Sequence, residues 1–181
     1  MTYNSVAEIF EDIDSTRARL LRSVEGLSAE QHGFRPTPDR WSVAEMVEHL
    51  SMVERSVARL VGSLLRKAEE SGGAREPGAP FAPVSIAEFV EQTSTRKLDA
   101  PESARPTGAP LADSLASLRD SRAALHALRP RVERAGGAEV RFPHPAWGPI
   151  NLYQWLLFVG AHEARHLAQI NALKETMNAE R

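Results

Sequence analysis

Apolar residues recur every three to four positions in four long segments of the chain, and no segment keeps up the two-residue alternation of a half-buried strand. The first segment runs from about Asn4 to Glu25, with Val6, Ile9, Phe10, Ile13, Leu20 and Val24 on one stripe, and Gly26 is a natural stop. The second opens at Ser42, where Ser42 and Glu45 have the spacing of a capping box, and continues to about Glu70 before Gly72-Gly73. The third starts near Pro110, suited to a first helical turn, and runs to about Arg134 before Gly136-Gly137. The fourth opens at Asn151, with Gln154 at the third helical position, and reaches about Met177. Four helices of this length predict an all-α fold, a four-helix bundle.

The connections constrain its topology. Residues 71–109 are rich in Gly, Pro and Ser, with one short helix expected at Ser85 to Gln92, where Ser85 and Glu88 repeat the capping-box spacing. That connection far exceeds the ~2–8 residues usual between antiparallel neighbours, so a long crossover is expected between helices two and three. The loop from Ala135 to Ile150 holds Phe142-Pro143-His144-Pro145-Ala146-Trp147-Gly148-Pro149, too rigid and aromatic to be a plain tether. With 181 residues, 42% of them hydrophobic, the chain is expected to form a single domain over 1–181.

Charge and composition narrow the function classes. The 22 basic and 24 acidic residues leave a formal charge of −2, and no basic cluster interleaves with aromatics, so no nucleic-acid partner is expected. No apolar run approaches the ~18 residues needed to span a bilayer, and the N-terminus lacks the basic-then-apolar order of a signal peptide; a cytoplasmic protein without membrane contact is expected. The absence of Cys excludes disulfides, thiolate metal sites and a protein thiol nucleophile, so any sulfur chemistry must use a small-molecule thiol.

The fourth helix carries His162-Glu163-Ala164-Arg165-His166, a match to the H-E-x-x-H signature of zinc proteases. Both histidines lie within about 20° of the direction of Trp155 round that helix, on its apolar stripe. A lone inward histidine reads most simply as a hydrogen-bonded core residue, but two at i and i+4 can bring their rings to one ion. The protease reading fails on the third ligand. Glu175 and Glu180 belong to the same helix or its frayed end, and a metzincin extension requires Gly and His where this chain has Gln169 and Ala172. A di-iron bundle site needs Glu-x-x-His on two helices, and only Glu163-x-x-His166 fits, which favours one ion. The third ligand must come from upstream. His32 and His144 lie in loops and His126 near the end of helix three, whereas His49 stands about 60° from the inward line of Met46, Val53, Val57 and Leu64 and can reach the interior. Arg119, Arg122 and Arg129 read as a solvated face of helix three.

Arg40-Trp41-Ser42-Val43-Ala44-Glu45 followed by His49-Leu50, then His144-Pro145-Ala146-Trp147-Gly148-Pro149 leading into Trp155 and His162 to Ile170, resemble the DinB-like superfamily and its YfiT-like branch. The resemblance covers almost the whole chain. It implies a four-helix bundle with the long crossover, a homodimer, and one divalent metal on three histidines, which match His49, His162 and His166. Within the family it implies either S-transfer from a low-molecular-weight thiol or metal-dependent hydrolysis of a small-molecule substrate.

Three imidazoles suit zinc or nickel foremost, with iron, cobalt and manganese also compatible. Three protein ligands leave a position open, where a metal lowers the pKa of water or of a small thiol. Glu163, about 80° round the helix from the two histidines, is the candidate general base; its plainer reading is a surface carboxylate beside Arg165. Gln169 is a candidate for a contact behind His166 or with substrate. Glu45, Arg165, Trp41 and His144 complete the candidate surroundings, although Trp41, Trp147 and Trp155 also read as packing residues and His144 as a loop anchor. The alternative to an enzyme is a bundle whose metal serves stability or sensing.

Overall fold

The computed structural model describes residues 1–72, 74–75, 80–94, 96 and 99–179. Its helices are α1 (Val6–Val24), α2 (Ala29–Gly33), α3 (Val43–Glu70), α4 (Ala87–Ser94), α5 (Leu111–Arg134) and α6 (Leu152–Ala179), with a 3-10 turn at Glu102–Ala104. The four long ones, α1, α3, α5 and α6, form the bundle, and their ends follow the local chemistry of the chain. Ser5 caps α1 by accepting from the Glu8 N–H, and the helix stops ahead of Gly26, which takes a φ of 77°. Ser42 and Glu45 form a reciprocal capping box on α3, and Asn151 and Gln154 exchange the same pair of bonds at the start of α6. Gly72 ends α3 with a φ of 70°; Gly73 lies outside the described residues. The short α2 has its own capping box, Ser28 with Gln31.

The crossover is present between α3 and α5, and it is pinned to the bundle along its course. Arg75 N–H donates to Arg134 O at 2.9 Å, and Tyr3 and Val84 exchange backbone bonds at 2.9 and 3.0 Å. The short helix expected at 85–92 is α4, two residues further on; Ser85 Oγ accepts from the Ala87 N–H, and Glu88 does not close a box.

One expectation needs correction. The loop before α6 contains an antiparallel hairpin, β1 (Arg141–His144) and β2 (Gly148–Asn151), in which Pro143 stands opposite Pro149. Prolines remove ladder donors and so argue against a strand in sequence, but both strands of a two-stranded hairpin are edges, where proline is tolerated. The hairpin buries Ile150 and is tied to α6 by the Trp155 Nε1–H bond to Phe142 O at 3.3 Å. Just before it, Gly137 lies against the Tyr153 ring, where a Cβ would come 2.8 Å from Cζ and 3.0 and 3.2 Å from the two Cε carbons.

In the bundle α3 packs on α5 and α6, and α1 on α6, whereas α1 and α5 touch sparingly. The apolar core is in two parts. One gathers Ile9, Phe10, Ile13, Val57, Leu64, Leu125, Leu156 and Val159; the other gathers Leu20, Val24, Met46, Leu50, Leu118, Leu167 and Ile170. Between them each long helix contributes one charge: Arg17, Glu54, Arg122 and Glu163, all 7% exposed or less. They close a ring. Glu54 pairs with Arg17 through one oxygen and with Arg122 Nε at 3.0 Å through the other. Glu163 accepts from Arg17 Nε at 2.6 Å and from Arg122 Nη2 at 3.3 Å. Spare donors go to backbone: Arg17 Nη1 to Leu118 O and Arg122 Nη1 to Ile13 O, both at 2.7 Å. These bonds bridge α1 and α5, which otherwise touch sparingly. Arg122 is therefore not part of a solvated face. Burial works against its charge, but Glu54 and Glu163 raise its pKa above the ordinary value.

Removing one member of such a ring leaves a buried charge short of a partner, which costs about 3–5 kcal/mol, whereas exchanging all members for apolar residues of similar volume is often neutral. Arg122→Met is expected to lower unfolding free energy in urea by that amount, and a variant with all four positions apolar to recover most of the loss. Equal stability of Arg122→Met and the parent protein would show that the ring contributes nothing.

Candidate metal centre

Three imidazoles converge on the α3–α6 side of the charged ring. His49 comes from α3, one turn before Val53, and His162 and His166 from successive turns of α6. His49 and His166 are buried and His162 is half-buried. His162 Nε2 lies 3.2 Å from His49 Nε2 and 3.2 Å from His166 Nε2, and one ligand atom from each residue fits within 4.8 Å of the others. A small cavity lined by Leu50, Val53, Glu54, Val159, His162 and Glu163 lies between this cluster and the ring of charges.

The tautomer of His49 follows from its other nitrogen. Nδ1 stands 2.6 Å from the Ala104 carbonyl, an acceptor only, so Nδ1 carries the hydrogen and Nε2 keeps its lone pair toward the cluster. Ala104 is held by the 3-10 turn, its N–H donating to Pro101 O at 2.9 Å. The adjacent Glu48 binds the next stretch of chain, accepting from Thr107 N–H and Oγ1–H at 2.8 Å, Gly108 N–H at 3.0 Å and Ala109 N–H at 3.1 Å. Burial opposes the charge of Glu48, and these bonds nonetheless hold its pKa below the ordinary value.

The surroundings keep the imidazoles neutral. Burial pushes His162 well below its ordinary value, with His166 and His49 adding to the shift. Burial likewise takes His166 to about 3 and lowers His49, although the bond to Ala104 pulls His49 the other way. Trp41 covers His49 at 4.9 Å between ring centroids and stacks toward His166 at 6.3 Å, while Phe158 stacks on His162 at 5.2 Å. Three neutral Nε2 atoms facing one another cannot satisfy one another, since a single shared N–H serves one contact at a time. His166 Nδ1 is buried without a partner of hydrogen-bonding geometry, although Gln169 is near enough to pull the ring's pKa upward. Converging lone pairs on neutral rings are the donor set that a divalent cation requires.

Several of the other expected site residues fall elsewhere. Glu163 turns to the charged ring, where both carboxylate oxygens are taken by arginines. It is neither the surface carboxylate nor the free base expected beside the histidines; burial raises its pKa while Arg17 and Arg122 pull it down. Glu45 closes the α3 capping box and pairs with Arg35. Arg165 reaches away to fasten the crossover, donating to Thr93 O at 3.0 Å and Arg96 O at 2.8 Å. Gln169 is exposed. Trp41 does belong to the wall of the site. His144 sits beyond Phe158, with ring centroids 4.6 Å apart, and stacks on Trp147 at 4.5 Å; its Nδ1 accepts from the Ala146 N–H, so it anchors the hairpin tip. His126 lies on the surface, paired with Asp14.

Sequence reasoning missed Glu48, Phe158, the Ala104 carbonyl and the charged ring. The ring had a signal: Arg17 follows Ile13 by four, Glu54 follows Leu50, Arg122 follows Leu118 and Glu163 follows Val159, which sets each charge on an apolar stripe. The Ala104 carbonyl had none, because it is backbone brought from a distant segment.

A helical bundle with three imidazoles gathered on two of its helices is the class that fold and site define. The model of the DinB superfamily (DinB_2) matches residues 12–170, and the chain belongs to that superfamily. It is similar to YuaE of Bacillus subtilis (strain 168), an uncharacterized protein, with 25% identity over 170 residues, 90% of this chain and 94% of that one. Its fold is that of TT2238, a four-helix bundle protein (TM-score 0.63, 22% identity, covering 93% of this chain and 99% of that one). YfiT from Bacillus subtilis, described as a probable metal-dependent hydrolase with an unusual four-helix bundle topology, has the same fold (TM-score 0.63, 20% identity, 96% and 87%).

His49→Ala, His162→Ala and His166→Ala are each expected to abolish stoichiometric metal in elemental analysis, with His32→Ala and His126→Ala keeping it. Full metal content in the first three would remove the site. A second expectation concerns acid. His144 is pushed by burial to about 4 and His166 to about 3, both below the ~6.5 of an unfolded histidine. As pH falls from 6.5 toward 4 the unfolded chain takes up protons that the folded chain refuses, so these groups destabilise the metal-free protein across that window and contribute nothing above it. Urea midpoints between pH 7 and 4 should fall, and His144→Phe should flatten the slope; a parallel slope in that variant would contradict the assignment for His144.

Proposed function

We propose that this protein is a metal-dependent enzyme acting on a small molecule, with His49, His162 and His166 holding one divalent cation, zinc or nickel foremost. The observation that carries the reading is the convergence of three neutral Nε2 atoms, with the His49 tautomer set by Ala104 O. Three protein ligands distinguish open, catalytic sites from closed structural ones. A cation held there supplies a Lewis acid that lowers the pKa of a thiol or water beside it. The protein's own groups do the rest. Burial keeps the imidazoles unprotonated at neutral pH, Trp41 and Phe158 cover their faces, and the charged ring holds α6 in the rotation that presents both histidines to α3.

Transfer of a low-molecular-weight thiol is the first of two routes. The chain has no Cys, so the sulfur must come from a small molecule, and the carboxylate that a hydrolytic route would use as base, Glu163, is engaged by Arg17 and Arg122. Hydrolysis is the second, supported by the likeness to YfiT, and on this geometry its proton acceptor is not Glu163.

Cobalt-substituted protein given mycothiol, bacillithiol or glutathione is expected to gain a sulfur-to-metal charge-transfer band and to consume an electrophile in proportion to thiol. Neither signal, together with metal-dependent ester or amide cleavage, would replace transfer by hydrolysis. Silence in both assays would leave a non-catalytic metal-binding bundle. In either active case Glu163→Gln should lower stability while turnover per bound metal persists; abolished turnover at full metal loading would restore Glu163 as the base.

A further inference from the structure

We propose that Glu48 is a positioning residue for the metal centre: it latches the end of the crossover so that the Ala104 carbonyl orients His49 and sets the affinity of the site for its cation. The inference rests on the metal reading above. Glu48 and His49 are consecutive on α3, yet their side chains grip two points of the same distant segment, residues 104 and 107–109. The carboxylate is 4% exposed and takes four hydrogen bonds there, three from backbone N–H groups and one from the Thr107 hydroxyl. No other contact between α3 and this segment has that density of bonds among the described residues.

The segment is built to transmit the grip. It reads Pro101-Glu102-Ser103-Ala104-Arg105-Pro106-Thr107-Gly108-Ala109-Pro110, and three prolines with fixed φ bracket the latch and the 3-10 turn. Gly108 takes a φ of 90°, a conformation open to glycine that turns successive N–H groups onto one carboxylate. Ala104 is thus held between the turn's own bonds and the latch, with its carbonyl 2.6 Å from His49 Nδ1. Release of residues 107–109 frees that carbonyl, and His49 loses the partner that fixes both its tautomer and its ring plane. Groups behind metal ligands commonly tune affinity by 10–100-fold. Binding and latching are reciprocal, so a bound cation must in turn protect the latched amides.

The test uses the full-length protein with zinc and cobalt. Glu48→Gln keeps the shape but sets an NH2 group against backbone N–H donors, and Gly108→Ala strains the left-handed turn without filling any occupied space. Both are expected to weaken zinc binding about tenfold and to shift the visible spectrum of the cobalt-loaded protein. Ser42→Ala, which removes the α3 cap and touches neither segment nor latch, should lower stability alone. In the parent protein zinc should slow hydrogen exchange of the Thr107, Gly108 and Ala109 amides. Unchanged zinc affinity and cobalt spectrum in both latch variants would overturn the inference while leaving the metal site standing. Should Glu48→Gln fail to fold, Gly108→Ala and the exchange measurement decide the matter. A parent protein that binds none of zinc, nickel or cobalt would remove the metal reading and this inference with it.

Discussion

Four buried charges, two of each sign and one from each long helix, form the constraint on which the rest of the bundle depends. Arg17, Glu54, Arg122 and Glu163 close on one another between two apolar clusters, and each carboxylate spans both guanidinium groups. Apolar stripes tolerate small rotations and slips of one helix against the next, because dispersion contacts have little direction. A closed ring of bridging ion pairs does not, since any slip strands a buried charge. The ring therefore constrains the register of the helices, above all between α1 and α5, which touch sparingly.

The three-imidazole cluster inherits its geometry from that ring. Glu163 follows His162 directly on α6, so the bonds that hold Glu163 also fix the helix rotation that aims His162 and His166 at α3. On α3, Glu54 stands five residues after His49 and closes the same ring. The remaining freedom, that of the His49 ring, is removed by the crossover through Ala104. In this H-E-x-x-H pattern the carboxylate of Glu163 is thus engaged by Arg17 and Arg122, a partnership that the pattern alone does not show.

Membership of the DinB superfamily and the three-imidazole cluster agree with each other, and among the described residues no helix is long and apolar enough to cross a membrane. The chain has no Cys, so on the proposed reading any sulfur at this site comes from a partner molecule.

Local chemistry was legible in the chain itself. Helix ends at Ser42, Asn151, Gly26 and Gly72 follow from caps and turn residues, the bundle from stripes of period 3.6, and the facing of His162 and His166 from their i, i+4 spacing, because each depends on neighbours within a turn or two. The DinB-like blocks around Trp41, His49, His144 and His162 pointed to His49 as the third histidine, and it joins the cluster. Tertiary structure alone decided the rest. Whether Glu163 meets a cation or two arginines depends on Arg17 and Arg122, 146 and 41 residues away in sequence. The hairpin at 141–151 survives its prolines because it has no inner strand, and the partner of His49 is a backbone carbonyl 55 residues distant. Spacing within a helix fixes direction, but which groups meet at the end of that direction is settled only when segments far apart in the chain are packed together.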